Sequence, residues 1–397
     1  MNNISLVNHK NCFSCRSCLY SCPKNAIEMK ESSEGFFYPY VNEKCVDCGI
    51  CVKVCPLDKT YFRDISEQHG KLLYLQDENK LKESSSGGAF SGFAEHVLEN
   101  EGVVFGAAYD NELNVNQIYI KKIEDLYKLK GSKYVESFTN DSFVKVKEFL
   151  ESDSYVLYSG TPCQIAGLKS FLRKDYEKLI TIDLICHGVP SRKLFNKYLG
   201  WLGKKYDGKI VYYGFRDKDI KGWSCDGKIK IKTKTKTKTK KIEYSCDPYY
   251  ASFLRGDSYR ESCYSCPFSS LNRPGDITIG DFWGVEKYFP DLQCDKGVSC
   301  CIINTKKGKD FFFSAKGIFY IQDANLNDIV ENNHNLSSAT IRPKNRDFIY
   351  ESIQKDEFDI SFIKFDSEFL FGIKKIIRYF IPAKIILILK KMIRGSK

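Results

Sequence analysis

Eight of the 17 cysteines stand in two short blocks near the start of the chain, and both blocks spell C-x2-C-x2-C-x3-C-P. Three evenly spaced thiolates can hold one corner of a cubane iron-sulfur cluster, while a fourth, displaced past a Pro turn, reaches a neighbouring cluster. The pattern therefore predicts two 4Fe-4S clusters that exchange their fourth ligands. The predicted ligands are Cys12, Cys15, Cys18 and Cys55 for the first cluster, and Cys45, Cys48, Cys51 and Cys22 for the second.

This spacing is that of bacterial two-cluster ferredoxins. Zinc also takes sites of four cysteines, but zinc ribbons use paired C-x2-C units instead of three evenly spaced thiols before C-P. The two blocks differ at one position, because Gly49 follows Cys48 whereas Arg16 follows Cys15. Arg16 either raises the potential of the first cluster through its positive charge or points to solvent. A pair of clusters transfers or stores electrons, so the chain needs a redox partner.

Four further cysteines lie where thiolates are favoured. Cys163 opens a helix-like run just beyond a strand-like run, where free N–H groups and the helix dipole stabilise negative charge. Cys186 ends another strand-like run, and ligands gather beyond the carboxyl ends of strands in open α/β sheets. Together with the C-x2-C-P pair of Cys263 and Cys266, they predict a third 4Fe-4S cluster. Buried inert thiols, a dithiol redox pair and half a zinc site are the alternatives. The other cysteines lack ligand-like spacing and are predicted to be core or surface thiols: Cys225, Cys246, Cys294, Cys300 and Cys301.

Three polar turns are candidates for binding a cofactor. A Ser/Gly turn before a helix-like run would present hydroxyls and amides at a helix N-terminus, although such a turn is also an ordinary helix cap. Lys133, in a second turn, would neutralise a phosphate or stabilise a reduced flavin, unless it is merely exposed. Asp281 would bond to a ring flanked by Trp283, unless Trp283 is core. Lys133 and His187 are the candidate catalytic groups, with a structural role as the alternative for His187. The Ser/Gly turn consists of Ser84, Ser85, Ser86, Gly87 and Gly88.

Strand-like and helix-like runs alternate through the middle of the chain, which predicts an α/β domain. The strand-like runs are residues 103–110, 156–161, 179–186 and 276–282, and the helix-like runs are 90–100, 142–152, 164–174 and 192–202. The expected fold is an α+β ferredoxin-like two-cluster domain, then an α/β domain, then a C-terminal amphipathic helical tail. The expected boundaries are 1–60 for the two-cluster domain, 72–320 for the α/β domain, 321–365 for a polar extension and 369–397 for the tail.

The charge of the chain is concentrated in two basic strips. Residues 228–241 and 369–397 each carry eight Lys or Arg, so the net charge of +11 leaves 11 − 16 = −5 on the remainder. This distribution argues against a nucleic-acid-coating surface. The 43% apolar share argues against disorder. An odd cysteine count and a polar N-terminus place the chain in a reducing cytoplasm.

Each basic strip has a structural prediction attached to it. Residues 228–240 alternate Lys with Ile or Thr, and a single strand would put every Lys on one face, either as a solvated edge strand or as a docking site for an acidic partner. Residues 369–397 predict two amphipathic segments lying on the inner face of an anionic membrane, or packed on a partner protein or on the body of the chain. Their longest apolar run after Pro382 is too short to span a bilayer.

The ordered set of motifs resembles the coenzyme F420 hydrogenase/dehydrogenase beta-subunit family over about residues 1–310. The resemblance rests on the cysteine blocks and on SSSGGAFSGF, KGSKYVES, SGTPCQIAGL, DLICHGVPS, CYSCPF and RPGDITIGDFWG. It implies an iron-sulfur flavoprotein that binds FAD, and it favours one shared cluster for Cys163, Cys186, Cys263 and Cys266. Members with a fused ferredoxin block are often found with bacterial surface-polysaccharide genes, which implies a role in polysaccharide biosynthesis.

These observations lead to three functional hypotheses. The first is an oxidoreductase that passes electrons between 4Fe-4S clusters and FAD and acts on an unidentified substrate or small electron carrier. The second is a non-catalytic electron-transfer subunit that docks to a separate redox enzyme. The third is a zinc-stabilised scaffold. Hydrolase, Walker-type and zinc-protease motifs do not occur in the sequence.

Overall fold

The computed structural model of the protein describes residues 2–58 and 67–355. In these two ranges the chain forms 13 strands and 12 α-helices. The strands are β1 (Ile27–Glu31), β2 (Phe37–Val41), β3 (His69–Leu75), β4 (Val103–Tyr109), β5 (Val115–Ile120), β6 (Val156–Gly160), β7 (Leu179–Leu184), β8 (Lys209–Gly214), β9 (Gly227–Lys232), β10 (Thr237–Ile242), β11 (Ile277–Asp281), β12 (Ser299–Ile303) and β13 (Phe319–Ala324). The helices are α1 (Ser17–Tyr20), α2 (Ile50–Lys53), α3 (Glu78–Lys82), α4 (Ala89–Glu99), α5 (Ser142–Glu151), α6 (Pro162–Leu172), α7 (Arg192–Tyr206), α8 (Lys218–Lys221), α9 (Pro248–Leu254), α10 (Lys306–Ser314), α11 (Leu326–Glu331) and α12 (Asn345–Ser352).

The N-terminal cysteine blocks fold into a ferredoxin-type domain. Its hairpin pairs β1 with β2 antiparallel, from Ile27 opposite Val41 to Glu31 opposite Phe37. The short helices α1 and α2 each follow a residue with positive φ, Arg16 at 65° and Gly49 at 73°. Arg16 thus adopts the left-handed conformation that glycine adopts without strain in the second block.

An eight-stranded mixed sheet forms the α/β domain, with the strand order β13-β3-β12-β11-β7-β6-β4-β5. The four adjacent strands β11, β7, β6 and β4 run parallel. These are the four strands predicted from sequence, and the four predicted helices correspond to α4, α5, α6 and α7. Parallel strands are covered on both faces by crossover helices, so they consist of continuous apolar runs that are easily recognised.

The sheet extends beyond the boundaries predicted at 72 and 320. β3 begins at His69, and β13 runs through position 320 to pair with β3. The predicted polar extension, residues 321–365, is described as far as residue 355, and in this part Ile329, Leu336 and Ile349 are buried in hydrophobic clusters of the protein. The predicted tail, 369–397, lies outside the described residues. Within residues 2–58 and 67–355, no helix is both long and apolar enough to cross a membrane.

The lysine-rich strip forms a hairpin instead of one strand. β9 and β10 are joined by a turn in which Thr233 N and Oγ1 both donate to the Lys236 carbonyl. Lys230 lies opposite Thr239, whereas Lys238 lies opposite Ile231. Residues directly opposite each other share a face, so the lysines divide between both faces. The prediction of a single lysine-lined face is therefore wrong, although β10 is an edge strand of its sheet.

A buried ion pair fixes the carboxyl end of β7. Asp183 Oδ1 accepts from Arg273 Nε at 3.0 Å and from Nη2 at 2.8 Å, and Asp183 Oδ2 accepts from the Gly275 amide. Arg273 also donates to the carbonyls of Leu184 and Phe268. One guanidinium thus joins the segment leading to Cys186 with the segment that follows Cys266.

We expect the substitution Asp183→Ala to lower the free energy of unfolding by about 3–5 kcal/mol, because it removes the carboxylate that pairs with the buried Arg273 guanidinium. Chemical denaturation of the anaerobically purified protein measures this loss. Glu148→Ala is the control, since Glu148 is exposed and pairs with Lys145 on the surface of α5; its expected cost is below about 1 kcal/mol. Equal losses in the two variants would contradict the structural role of the pair.

Candidate iron-sulfur and cofactor sites

Each set of four thiols predicted for the ferredoxin-type domain lines one cavity. The first cavity is lined by Cys12, Cys15, Cys18 and Cys55, and its empty volume, including space open to solvent, is about 400 Å³. The second cavity is lined by Cys22, Cys45, Cys48 and Cys51, and its empty volume, defined in the same way, is about 350 Å³. The fourth thiol of each set comes from the other cysteine block, in the exchange that the spacing predicted. Among the described residues, no three His, Cys, Asp or Glu side chains form a site for a single metal ion.

The donor chemistry of the two cavities fits iron-sulfur clusters. Burial raises the pKa of the Cys12 thiol to about 11, and burial also raises the pKa values of Cys15, Cys18 and Cys51. Such thiols become thiolates only when a positive centre binds them. Backbone amides supply further stabilisation, since the Ser14 amide donates to Cys12 Sγ at 3.4 Å and the Ala26 amide donates to Cys22 Sγ at 3.3 Å.

The four remaining candidate ligands converge in the α/β domain. Cys163 stands at the second position of α6, which Thr161 caps and Pro162 begins. Burial raises the pKa values of all four thiols. Repulsion from neighbouring thiolates raises three of these pKa values further. Cys263 and Cys266 act on Cys163, Cys163 and Cys266 act on Cys186, and Cys186 and Cys266 act on Cys263. The thiols of Cys163, Cys186, Cys263 and Cys266 are thus close enough for their charges to interact, and the cluster that they would share stays a prediction.

The first cavity and this third set of thiols are neighbours. α1 packs against α6, where Ser17 Oγ donates to the Gly167 carbonyl at 2.8 Å. A Cβ atom on Gly167 would lie 2.7 Å from Cys15 Cβ and 3.1 Å from Cys15 Sγ. The charge of Cys15 also contributes to the raised pKa of Cys163. Only glycine permits this close approach of the two helices.

Arg16 belongs to the same interface and does not point to solvent. Its Nη1 donates to Asn140 Oδ1 at 3.1 Å, and its guanidinium lies 4.5 Å from the centre of the Phe138 ring. Burial lowers the pKa of Arg16. Arg16 thus contacts the α/β domain, whereas Gly49, at the matching position of the second block, lies beside the Asn2 side chain.

The hydroxyls of the Ser/Gly turn bond within the protein. Ser84 Oγ donates to the Lys80 carbonyl, Ser86 Oγ donates to the Val298 carbonyl, and Ser85 Oγ accepts from the Ser132 amide. Gly87 is close to the sheet, because a Cβ atom there would lie 2.4 Å from the Leu73 carbonyl oxygen. Gly88 precedes α4 with φ of 82°. The turn of residues 84–88 therefore joins the sheet, α4 and the 131–134 turn.

Two lysines with lowered pKa values flank this turn. Lys133 Nζ donates to the carbonyls of Lys130 and Gly131, and Lys218 Nζ donates to those of Leu81 and Ser86. Burial lowers the pKa of each amine to about 7. Neither lysine pairs with a carboxylate among the described residues. Sequence reasoning identified Lys133 but missed Lys218, which stands in a segment without a recognisable motif.

Asp281 and Trp283 lie at the carboxyl end of β11, in contact with two residues that the sequence did not single out. Arg216 pairs with Asp281 through both terminal nitrogens, at 3.1 and 3.2 Å, and Trp223 Nε1 donates to Asp281 Oδ1 at 2.8 Å. The rings of Trp223 and Trp283 are parallel, with centres 4.9 Å apart. Both oxygens of Asp281 therefore have protein partners.

His187 directly follows Cys186 and is close enough to Asp281 for the two side chains to interact electrostatically. Its ring stacks on His334 at 5.6 Å, and burial lowers its pKa to about 4. The negative charge of Asp281 has a smaller, opposite effect and acts to raise the pKa of the His187 imidazole. The ring is neutral over the physiological range, so the structure provides a neutral histidine at this position.

Two family models match this chain, one in the α/β domain and one in the ferredoxin-type domain. A family model that describes the C terminus of the beta subunit of coenzyme F420 hydrogenase/dehydrogenase matches residues 153–328, and the model "4Fe-4S dicluster domain" matches residues 11–59. The chain is thus an iron-sulfur protein related to electron-transferring oxidoreductases. Residues 153–328 are thus similar to the beta subunit of coenzyme F420 hydrogenase/dehydrogenase, and a dicluster ferredoxin domain precedes them in the chain.

Two curated proteins and one solved structure are similar to this chain. A coenzyme F420-dependent sulfite reductase from Methanocaldococcus jannaschii is 29% identical over 195 residues, which are 47% of this chain and 29% of that protein. One component of an F420H2 dehydrogenase from Methanosarcina mazei, named as a subunit of that enzyme, is 23% identical over 46% of this chain and 54% of that protein. A chain of the F420-reducing NiFe hydrogenase complex from Methanosarcina barkeri, solved as a xenon derivative, is 17% identical, with a TM-score of 0.44 over 69% of this chain and 90% of that chain. The matched region spans about a third to a half of the length of the two curated relatives.

We expect the residual EPR spectrum of a cysteine variant to depend on which cavity the cysteine lines, and not on which sequence block it belongs to. Cys55→Ala should give the same residual EPR spectrum as Cys12→Ala, and Cys22→Ala the same as Cys48→Ala, because each pair removes a ligand of one cluster. Each variant should lose about four iron atoms. Cys294→Ala, outside both cavities, should retain all iron. Grouping of Cys22→Ala with Cys12→Ala would contradict the exchange.

Proposed function

We propose that this chain passes electrons between its ferredoxin-type clusters and a flavin-type cofactor in the α/β domain, through a third cluster held by Cys163, Cys186, Cys263 and Cys266. The observation that carries the proposal is the contact of Cys15 with Gly167 in α6, the helix that also bears Cys163. This contact makes the first thiol set and the third thiol set neighbours. A flavin would supply the conversion between single electrons and electron pairs.

The two thiol sets of the ferredoxin-type domain differ in exposure, and this difference supports a proposal for where an external redox partner docks. Cys48 of the second cavity is exposed, whereas Cys15 and Cys18 of the first are buried. Thr139 Oγ1 and Ser262 Oγ, both from the α/β domain, donate to the carbonyls of Cys15 and Cys12. The segment that bears Cys12 and Cys15 therefore packs on the α/β domain, and an external electron carrier would dock beside the exposed Cys48 of the second cavity.

Lys133 and Lys218 support a phosphate-bearing cofactor beside the Ser/Gly turn. Two half-buried amines whose hydrogen bonds go only to carbonyl oxygens favour an anion, and α4 begins at the same turn. The bonded serine hydroxyls leave these amines and the backbone N–H groups of α4 as the expected phosphate donors. FAD is the cofactor we propose. Coenzyme F420, which stands in the names of both curated relatives, is the second candidate, either as resident cofactor or as exchange partner.

Two roles remain for the electrons at the flavin. The first is oxidation or reduction of a substrate by this chain, with surface polysaccharide biosynthesis as the setting implied by the sequence resemblance. The second is delivery to a separate redox enzyme, which the description of one relative as part of a dehydrogenase favours. A substrate-dependent turnover by the isolated chain distinguishes the first role from the second.

Anaerobic purification followed by iron, sulfide, zinc and flavin analysis tests the proposal. We expect about 12 iron atoms per chain, because three 4Fe-4S clusters contain four each, together with FAD identified after acid release. About eight iron atoms would overturn the third cluster. A deazaflavin absorbance spectrum in place of FAD would select coenzyme F420, and zinc without iron would refute electron transfer altogether.

Binding of the cofactor should depend on pH. Burial lowers the pKa values of Lys133 and Lys218 to about 7, so both amines are charged below pH 7 and lose their charge above it. The affinity of the flavin-depleted protein for FAD should therefore fall as the pH rises from 6 to 8.5, as measured by quenching of flavin fluorescence. Lys218→Arg keeps the charge and should flatten this dependence. An unchanged pH profile in this variant would contradict the role of Lys218.

A further inference from the structure

Arg260 is a buried cation that connects the first cavity with the third thiol set. Its backbone amide donates to the Val189 carbonyl, three residues beyond Cys186, and its carbonyl accepts from the Cys263 amide. Its Nη1 lies 3.5 Å from the Cys12 carbonyl oxygen. Arg260 is 1% exposed, so water does not screen its charge.

Glu136 holds the Arg260 guanidinium in place. Nη2 donates to Glu136 Oε1, Nη1 donates to the Phe37 carbonyl at 3.4 Å, and the guanidinium lies 4.5 Å from the centre of the Phe36 ring. The Glu136 amide donates in turn to the Pro190 carbonyl, close to Cys186. The pair thus has contacts in the ferredoxin-type domain and in both loops that bear thiols of the third set.

Stability does not account for this ion pair. Arg260 Nε and Glu136 Oε2 are buried without a hydrogen-bond partner in the described part of the chain. A buried pair with incomplete hydrogen bonding is commonly no more stable than apolar side chains of the same volume. What apolar side chains cannot supply is a fixed charge at this position.

The positive member of the pair contacts the first thiol set directly. Arg260 Nη1 lies beside the Cys12 carbonyl oxygen, whereas the hydrogen bonds of Glu136 join it to Arg260 and to the Pro190 carbonyl. A buried positive charge favours the reduced, more negative state of a nearby cluster.

We propose that Arg260, positioned by Glu136, raises the reduction potential of the first ferredoxin-type cluster and thereby sets the driving force for electron exchange with the third. In each exchange one cluster loses the single electron that the other gains, and the charge on Arg260 is unchanged. This inference rests on the proposed function, because it requires clusters at both sites.

Redox titration followed by EPR, on variants of the full cluster-loaded chain, tests the proposal by the signs of two shifts. Arg260→Met should lower the midpoint potential of the first cluster, and Glu136→Gln should raise it, because the two variants remove opposite charges. A tenfold change in the ratio of reduced to oxidised cluster at fixed potential corresponds to about 59 mV for one electron. We expect Arg260→Met to produce about this change, Glu136→Gln a smaller one, and Arg260→Lys, which keeps the charge, little change.

Arg346→Met is the matched control. Arg346 is also buried at the boundary with the ferredoxin-type domain and pairs with Glu34 there. Its other bonds go to Glu261, Asp347 and the Tyr259 carbonyl, and none of these residues lines the first cavity. Its potential should match that of the unmodified protein. Shifts of the same sign in Arg260→Met and Glu136→Gln, or equal shifts in Arg346→Met and Arg260→Met, would overturn the inference.

The result separates the inference from the function on which it rests. Absence of iron from the unmodified protein refutes the proposed function before any variant is examined. Iron-loaded variants whose potentials do not respond refute only the role of Arg260. If Arg260→Met fails to fold, Glu136→Gln still decides the question, since it is nearly isosteric and its predicted shift has the opposite sign to that expected from loss of the cation.

Discussion

The close approach of α1 and α6 at Gly167 is the contact on which the arrangement of the thiols depends. A side chain at Gly167 would collide with Cys15, so glycine is required for the two helices to meet at this distance. Ser17 fixes the approach by donating to the carbonyl of the same glycine. Because α6 also carries Cys163 near its N-terminus, the contact between α1 and α6 brings thiols of the first and third sets near each other. Without it, the ferredoxin-type domain and the α/β domain would each retain a cavity or thiol set, but with no short path between them.

Burial of the interface between α1 and α6 has an electrostatic consequence. Charges removed from water act strongly over short distances, and several basic side chains lie around the thiols in fixed positions. Arg16 follows Cys15 and contacts Phe138, while Arg273 is tied to Asp183 beneath Cys186. In the second cavity Cys48 is exposed to solvent, whereas no thiol of the first cavity is exposed. The same ligand pattern is therefore placed in two different electrostatic environments, which is a means of giving two similar clusters different potentials.

The sequence was informative where the determinants of structure are local. Cysteine spacing indicated which four thiols line each cavity, and unbroken apolar runs indicated the four parallel strands. It was uninformative where partners come from distant segments: Arg216, Lys218 and Trp223 lie around the small three-stranded sheet and carry no motif, yet they contact Asp281 or the Ser/Gly turn. The lysine hairpin was mistaken for one strand because its turn contains Thr and Lys without Gly, Pro or Asn. Residues 321–365 were predicted to be a polar extension because their few apolar side chains are widely spaced.

The parallel strands explain how these separate segments meet. β6, β7 and β11 are adjacent, and they lead respectively to Cys163, to Cys186 and to Asp281. Leu184 of β7 is paired with Ile279 of β11, so Cys186 and Asp281, each two residues further on, are at the same level along the sheet. Neighbouring strands lie about 4.8 Å apart. The third thiol set and the group of Arg216, Trp223 and Trp283 therefore occupy adjoining positions on one edge of the sheet. The topology that brings strand ends together thus places the candidate cofactor residues within reach of the thiols.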